Sequence, residues 1–173
     1  MATLTTERLY LRPFAIEDVD AFHAFAIDPE IRRALFENQI LPRERIVEFI
    51  ENNMESFRES SYGLFAIEIK DQHVGLVGYC GVRNFVDSDQ LELRYGILPG
   101  YWGEGYVSEA AAEVLRFGFQ DLGIDRIIAV TDTPNQRAVR VLQRLGMTFD
   151  ERKEFAGLDS VFYAMTATEF GQR

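Results

Sequence analysis

The chain has 173 residues, 47% hydrophobic and 27% charged, the length and composition of one ordinary globular domain spanning 1–173. At this size roughly 70% of the unfolded surface is buried, so a core forms without disulfide or metal staples. Acidic residues outnumber basic ones by 28 to 18, for a formal net charge of −10, which argues against a nucleic-acid partner and suits amines or basic proteins.

The other bulk features exclude further classes. Cys80 is the single cysteine, so neither an internal disulfide nor a cysteine metal cluster can form. Its apolar neighbours mark it as a small core residue. His23 and His73 lie far apart without nearby ligand partners, and no metal site is expected. No apolar run reaches the roughly 18 residues that span a bilayer, and the first residues lack a signal-peptide pattern. The cytoplasm is the expected compartment, with no membrane partner.

In chain order, Glu7 to Phe14 alternates polar and apolar residues and predicts a strand. Asp18 to Ala26 places Val19, Phe22, Phe25 and Ala26 on one helical face. Asp28 to Leu41 reads as a loop or short helix. Pro42 suits the first position of a second helix carrying Ile46, Phe49, Ile50, Met54 and Phe57. Leu64 to Ile69 and Val74 to Val82 form a hairpin; Gly75, Gly78 and Gly81 on its second arm suggest a bulge or close backbone approach. Leu91 to Leu98 is the next strand, ending at Pro99-Gly100. A helix follows over about Ser108 to Leu122, then a β-branched strand at Arg126 to Thr131. Asn135 to Leu145 is a helix stopped by Gly146. Met147 to Phe155 and Val161 to Thr166 close the chain as a hairpin. The order βααβββαβαββ is a mixed α/β domain, a largely antiparallel central sheet with flanking helices.

Chemistry concentrates where the Leu91–Leu98 strand meets the following helix. Leu98-Pro99-Gly100-Tyr101-Trp102-Gly103-Glu104-Gly105-Tyr106-Val107-Ser108-Glu109-Ala110 runs from a strand through three glycines into a small-residue helix. Glycines let backbone N–H groups converge, and the helix adds the positive end of its dipole. The result suits a phosphate or pyrophosphate without any cationic side chain in the turn. A Walker A loop is excluded because Tyr106-Val107 follows Gly105 where Lys-Ser/Thr is needed. Ser108 replaces the third glycine of a dinucleotide fingerprint. A plain glycine turn without ligand is the competing reading.

In order, these segments resemble the GNAT superfamily of N-acetyltransferases, closest to its ribosomal-protein N-terminal acetyltransferase (Rim-type) branch. The opening "TERLYLRPF" and "YWGEGYVSEA" at 101–110 carry the likeness, with Asn135 and "LGM" at 145–147 as a later motif. Gly100, Ala138 and Leu142 depart from the family pattern, standing where Gln or Arg, Ser, and Tyr are usual.

The resemblance implies a GNAT-like fold, acetyl-CoA as co-substrate and a primary amine, on a protein N-terminus or a small molecule, as acceptor. It implies that Ile97 and Leu98 pair with pantetheine. Trp102, Gly103, Glu104, Gly105, Tyr106 and Val107 would form the pyrophosphate loop. Asn135 would bond pantetheine or cap its own helix, and Arg137 or Arg140 would reach the 3′-phosphate. Backbone amides near Gly96, at a bulge, would meet the oxyanion. Glu92 is the favoured base; its structural alternative is pairing with Arg83 or Arg94. Tyr95, Tyr101 or solvent would protonate the leaving thiolate. Tyr10, Phe14, Phe22, Phe25, Phe36 and Trp102 would line the acceptor groove or fill the core. The residues choosing the acceptor are expected in 28–41 and 156–159, and a homodimer through the last strands by analogy. An acyl-CoA sensor without turnover is the alternative function.

Overall fold

The strands are β1 (Leu4–Thr5), β2 (Leu9–Pro13), β3 (Leu64–Ile69), β4 (Leu76–Asn84), β5 (Leu91–Ile97), β6 (Arg126–Asp132), β7 (Thr148–Phe155) and β8 (Leu158–Thr166). In the computed structural model, which describes residues 2–173, they form one sheet in the order β1-β2-β3-β4-β5-β6-β8-β7. Every pairing is antiparallel except β5 with β6. The helices are α1 (Val19–Ile27), α2 (Pro29–Leu35), α3 (Arg43–Ser60), α4 (Tyr106–Arg116), α5 (Gln136–Arg144) and α6 (Ala167–Gly171).

Two apolar layers sandwich the sheet. On one face Leu9, Leu11, Phe65, Ile67, Leu93 and Ile97 pack with Ala111, Val114 and Leu115 of α4 and Leu142 of α5. On the other, Leu64, Ala66 and Tyr79 meet Phe22, Phe25, Ile31, Ile46 and Ile50 of α1, α2 and α3. Phe14, Phe22 and Phe25 are buried core residues, so they serve packing and not the acceptor groove. Phe22 stacks on Phe25 at 5.4 Å and on Phe49 at 4.9 Å, contacts worth about 0.5–1.5 kcal/mol each beyond their burial.

Local chemistry explains the element ends. Asp28 caps α2 by accepting from the amides of Glu30 and Ile31, and Pro29 supplies the first helical position. Pro42 precedes α3 as its extended N-cap residue and not as the first helical one. Asn53 of α3 is buried and grips Leu64 at both backbone groups, accepting from its N–H at 2.7 Å and donating to its C=O at 2.8 Å. Gly78 and Gly81 realise the close backbone approach: a Cβ there would lie 2.2 Å from the Gly96 oxygen and 2.1 Å from the Gly63 oxygen.

Beneath α1, Arg12 of β2 donates to both oxygens of Asp18, at 2.7 and 2.8 Å, and to Glu68 at 2.9 Å. Asp18 also accepts from the Ala15 amide. Burial raises the Asp18 pKa, but the Arg12 and Ala15 hydrogen bonds outweigh it and the net shift is downward. A carboxylate depressed in the fold stabilises above its unfolded pKa, near 3.9, and loses that contribution as pH falls through the folded value. Asp18→Asn should therefore cost about 1.5–3 kcal/mol at pH 7. Urea midpoints of the variant and the parent should converge as the pH is lowered toward 3.

Candidate active site

The parallel pair β5–β6 is where the sheet opens. Its register holds at Leu91↔Ile127 and Glu92↔Ile128 and stops there, although both strands continue, to Ile97 and Asp132. Beyond Glu92 they diverge, leaving a cleft of about 270 Å³ lined from β5 by Glu92, Leu93, Arg94 and Tyr95 and from β6 by residues 129–132. On its other side β5 stays in unbroken register with β4 from Leu91 to Ile97, so no bulge forms at Gly96. Gly96 instead sits where the α1–α2 layer packs close against β5. A Cβ there would lie 2.5 Å from Leu35 Cδ1, 3.2 Å from Tyr79 and 3.3 Å from Phe25.

That contact also fixes the faces of β5. Side chains alternate along a strand, so Glu92 and Arg94 share the α1–α2 face with Gly96. Tyr95 points to the α4–α5 face, where its hydroxyl donates to the Ala138 carbonyl at 3.4 Å. Burial pushes the Tyr95 phenol well above its ordinary pKa. Leu142, where the family resemblance led one to expect a tyrosine, is buried in the core and offers no proton.

Glu92 is 2% exposed, and its Oε1 accepts from Arg83 Nε at 2.8 Å. Of the two structural pairings expected for it, the structure takes Arg83. No buried side-chain polar atom among the described residues lacks a partner. Among the described residues no donor to the second Glu92 oxygen is found, and Glu92 lines the cleft.

The backbone of β5 offers hydrogen bonds into the gap. The Leu98 amide donates to Val77 O at 2.9 Å. By antiparallel alternation, the N–H and C=O groups of Tyr95 and Ile97 then point away from β4. No strand faces them there. Leu98 is less available than the sequence suggested, because its amide is held by Val77 and its carbonyl accepts from the Tyr101 amide. The Ile97 carbonyl accepts from Trp102 Nε1 at 2.8 Å, which folds the indole back against the strand.

The glycine turn ends at Gly105, with φ of +80° at Gly103 and +81° at Gly105. α4 starts at Tyr106, two residues earlier than the pattern predicts, so Tyr106 and Val107 are already in its first turn. No side chain caps this helix. Its first internal bond runs from the Glu109 amide to Gly105 O, leaving the amides of Tyr106, Val107 and Ser108 without helical partners. At Gly103 the space a side chain would occupy is empty. These residues fit a pyrophosphate-bearing ligand: open amides, a helix N-terminus and unobstructed backbone.

Cations reach the turn from elsewhere in the chain. Arg8, just before β2, donates to Glu104 O at 3.0 Å and to Glu109 at 2.7 Å, and lies 4.4 Å over the Tyr106 ring. Arg137 of α5 stacks 3.9 Å over the Trp102 ring, and Arg140 is exposed one turn further along. Sequence reasoning overlooked Arg8, which nothing local connects to the turn. Asn135 caps α5, its Oδ1 accepting from the Ala138 amide at 3.1 Å; its NH₂ end makes no hydrogen bond among the described residues, and the residue lines the cleft.

The site thus combines a parted parallel strand pair, a glycine turn opening a helix and a buried carboxylate beside the parting. The chain is 29% identical over 147 residues to an uncharacterized N-acetyltransferase of Bacillus licheniformis, covering 84% of this chain and 82% of that protein. It is 25% identical over 140 residues to the spermidine N(1)-acetyltransferase of Escherichia coli, covering 81% and 73%. A Rim-type ribosomal-protein N-terminal acetyltransferase solved with coenzyme A shares the fold, with a TM-score of 0.83 at 15% identity over 97% and 99% of the two chains. No helix of the described residues is long and apolar enough to cross a membrane. Residues 8–148 match the profile of the acetyltransferase (GNAT) domain, and the chain belongs to that family, the acetyl-CoA-dependent N-acetyltransferases.

Proposed function

We propose that the acetyl group is carried in the β5–β6 gap and passed to a primary amine that enters from the α1–α2 side, with Glu92 as the base. The parting of the strands directly beyond a buried, cleft-lining Glu92 supports this reading most. An alkylamine with a pKa near 10 arrives protonated at pH 7. The second Glu92 oxygen takes that proton, directly or through water, and the freed lone pair attacks the thioester carbonyl. The Tyr95 amide faces the gap where the oxyanion develops. The carbon–sulfur bond then breaks and the thiolate takes up a proton.

Tyr95, with its raised phenol and its bond to Ala138, is a weak match for the acid; it ties β5 to α5 and lets water protonate a thiolate whose pKa is near 8.5. The amides of Gly103, Glu104, Gly105, Tyr106 and Val107 hold the pyrophosphate, with Arg8 stiffening the turn. Ile97 N–H and the Asn135 NH₂ group receive the pantetheine amides. Arg140, with Arg137, meets the 3′-phosphate. The working compartment is the cytoplasm.

Calorimetric titration with acetyl-CoA, paired with a thiol-release assay over an amine panel, tests the function. Binding and amine-dependent release are expected. Binding without release for any amine would favour a non-catalytic acyl-CoA sensor, and no heat at all would remove both readings. β7 ends the sheet and carries the 59% exposed Phe149, so a homodimer through this edge is expected to show as a doubled mass in sedimentation, lost in Phe149→Glu.

A further inference from the structure

The net charge of −10 does not describe the acceptor cleft. Its charged lining is balanced, with Arg33, Arg83 and Arg94 against Glu37, Glu92 and Asp132. Only Arg83 of the three arginines forms a salt bridge, to Glu92; Arg33 and Arg94 meet no carboxylate within 4.0 Å among the described residues. Arg94 is half-buried on the same face of β5 as Glu92 and two residues along from it, about 6.6 Å at strand rise. Tyr79 and, beyond the cost of burial, the Glu92 carboxylate favour its charged form and hold its pKa above the ordinary value, yet no carboxylate pairs with it directly, so its guanidinium can still take an anionic group from a ligand.

Another part of the cleft lining is apolar. Phe85 lies 4.9 Å from Phe155 and 5.9 Å from Phe162, and Val86 and Leu158 beside them are 58% and 52% exposed. The cleft thus combines three chemistries: a carboxylate for an amine, an unpaired guanidinium for an anion, and an aromatic wall for an apolar group.

We infer that the acceptor is a compact primary amine carrying its own carboxylate and an apolar side chain, of the kind an apolar α-amino acid presents. Arg94 takes the acceptor carboxylate, Glu92 the ammonium, and Phe85 with Phe155 the side chain. This rests on the acetyl-transfer reading of the same site and narrows it. A polycation such as spermidine would set its further ammonium groups against Arg94 and Arg33.

Calorimetric binding of L-phenylalanine, L-phenylalaninamide, phenethylamine and spermidine, with and without CoA, tests it. L-phenylalanine should bind at least tenfold tighter than the three probes lacking the carboxylate. The preference should fall to about one in Arg94→Gln and return in Arg94→Lys, with melting temperature as the fold control. Equal or tighter binding of phenethylamine, phenylalaninamide or spermidine, no binding of the acid, or a preference that survives Arg94→Gln would overturn the assignment. If Arg94→Gln does not fold, the comparison of probes on the parent protein decides. Thiol release separates the two levels. An acid that binds in this order without release leaves the anion subsite standing and removes the catalytic reading. Release with phenethylamine or spermidine and not with the acid keeps catalysis and removes this acceptor.

Discussion

Glu92→Gln should lower kcat about 10²-fold or more while leaving CoA affinity within about twofold. The substitution keeps the shape of a buried side chain and removes the group that accepts the ammonium proton. The deficit should be greatest below neutrality and shrink toward pH 10, where solvent deprotonates the alkylamine unaided. Glu92 also neutralises Arg83, so a purely structural loss must be separated from a chemical one. Arg83→Gln breaks the same ion pair without touching the base. If the two variants lose equal activity with flat pH profiles, Glu92 is a structural partner and not the base.

Gly105→Val should abolish measurable CoA binding at millimolar ligand and reduce stability only modestly. At φ of +81° a residue with a Cβ costs about 1–2 kcal/mol, and a β-branched one more. The new Cβ would find ordinary contact, 3.5 Å from Arg8 Nη2. The penalty therefore falls on backbone conformation and not on a clash. The chain relieves it by rotating the turn out of the left-handed region, which turns the first amides of α4 away from their common target. Wild-type CoA affinity in this variant would show that the turn is not the pyrophosphate site.

Much of the fold was legible because its signals are local. Leu64 to Ile69 is bounded by the same residues in the structure as in the pattern, and the three-glycine turn lies where strand, glycines and small-residue helix meet. α2 was legible in principle, since Asp28-Pro29 is an N-cap followed by a first-turn proline. What the sequence did not disclose was long-range. β1 and α6 are too short to leave a pattern. Parting of β5 from β6 depends on where a parallel register ends, which no residue type marks. Gly96 reads equally as a bulge or as a place without room, and only Leu35, Phe25 and Tyr79 decide between them. For Glu92 the chemistry was foreseen and the partner left open; for Arg94 the charge was visible but the lack of a salt bridge was not.

The Arg8 clamp changes what kind of object the phosphate turn is. Arg8 and Thr6 reach Glu109 and Glu104 across about a hundred residues of chain: the hydrogen bonds span 101 positions for the Arg8 amide, 103 for the Thr6 hydroxyl and 96 for the bond to Glu104 O. Closing so large a loop is slow, and it precedes any reward from the contact. The clamped geometry of the turn therefore depends on the N-terminal segment being docked against it. A peptide of residues 98–116 alone would lack that geometry. In the native protein, ligand held by the turn should slow hydrogen exchange at the Arg8 amide, so that occupancy of the cleft is reported from the opposite end of the sequence.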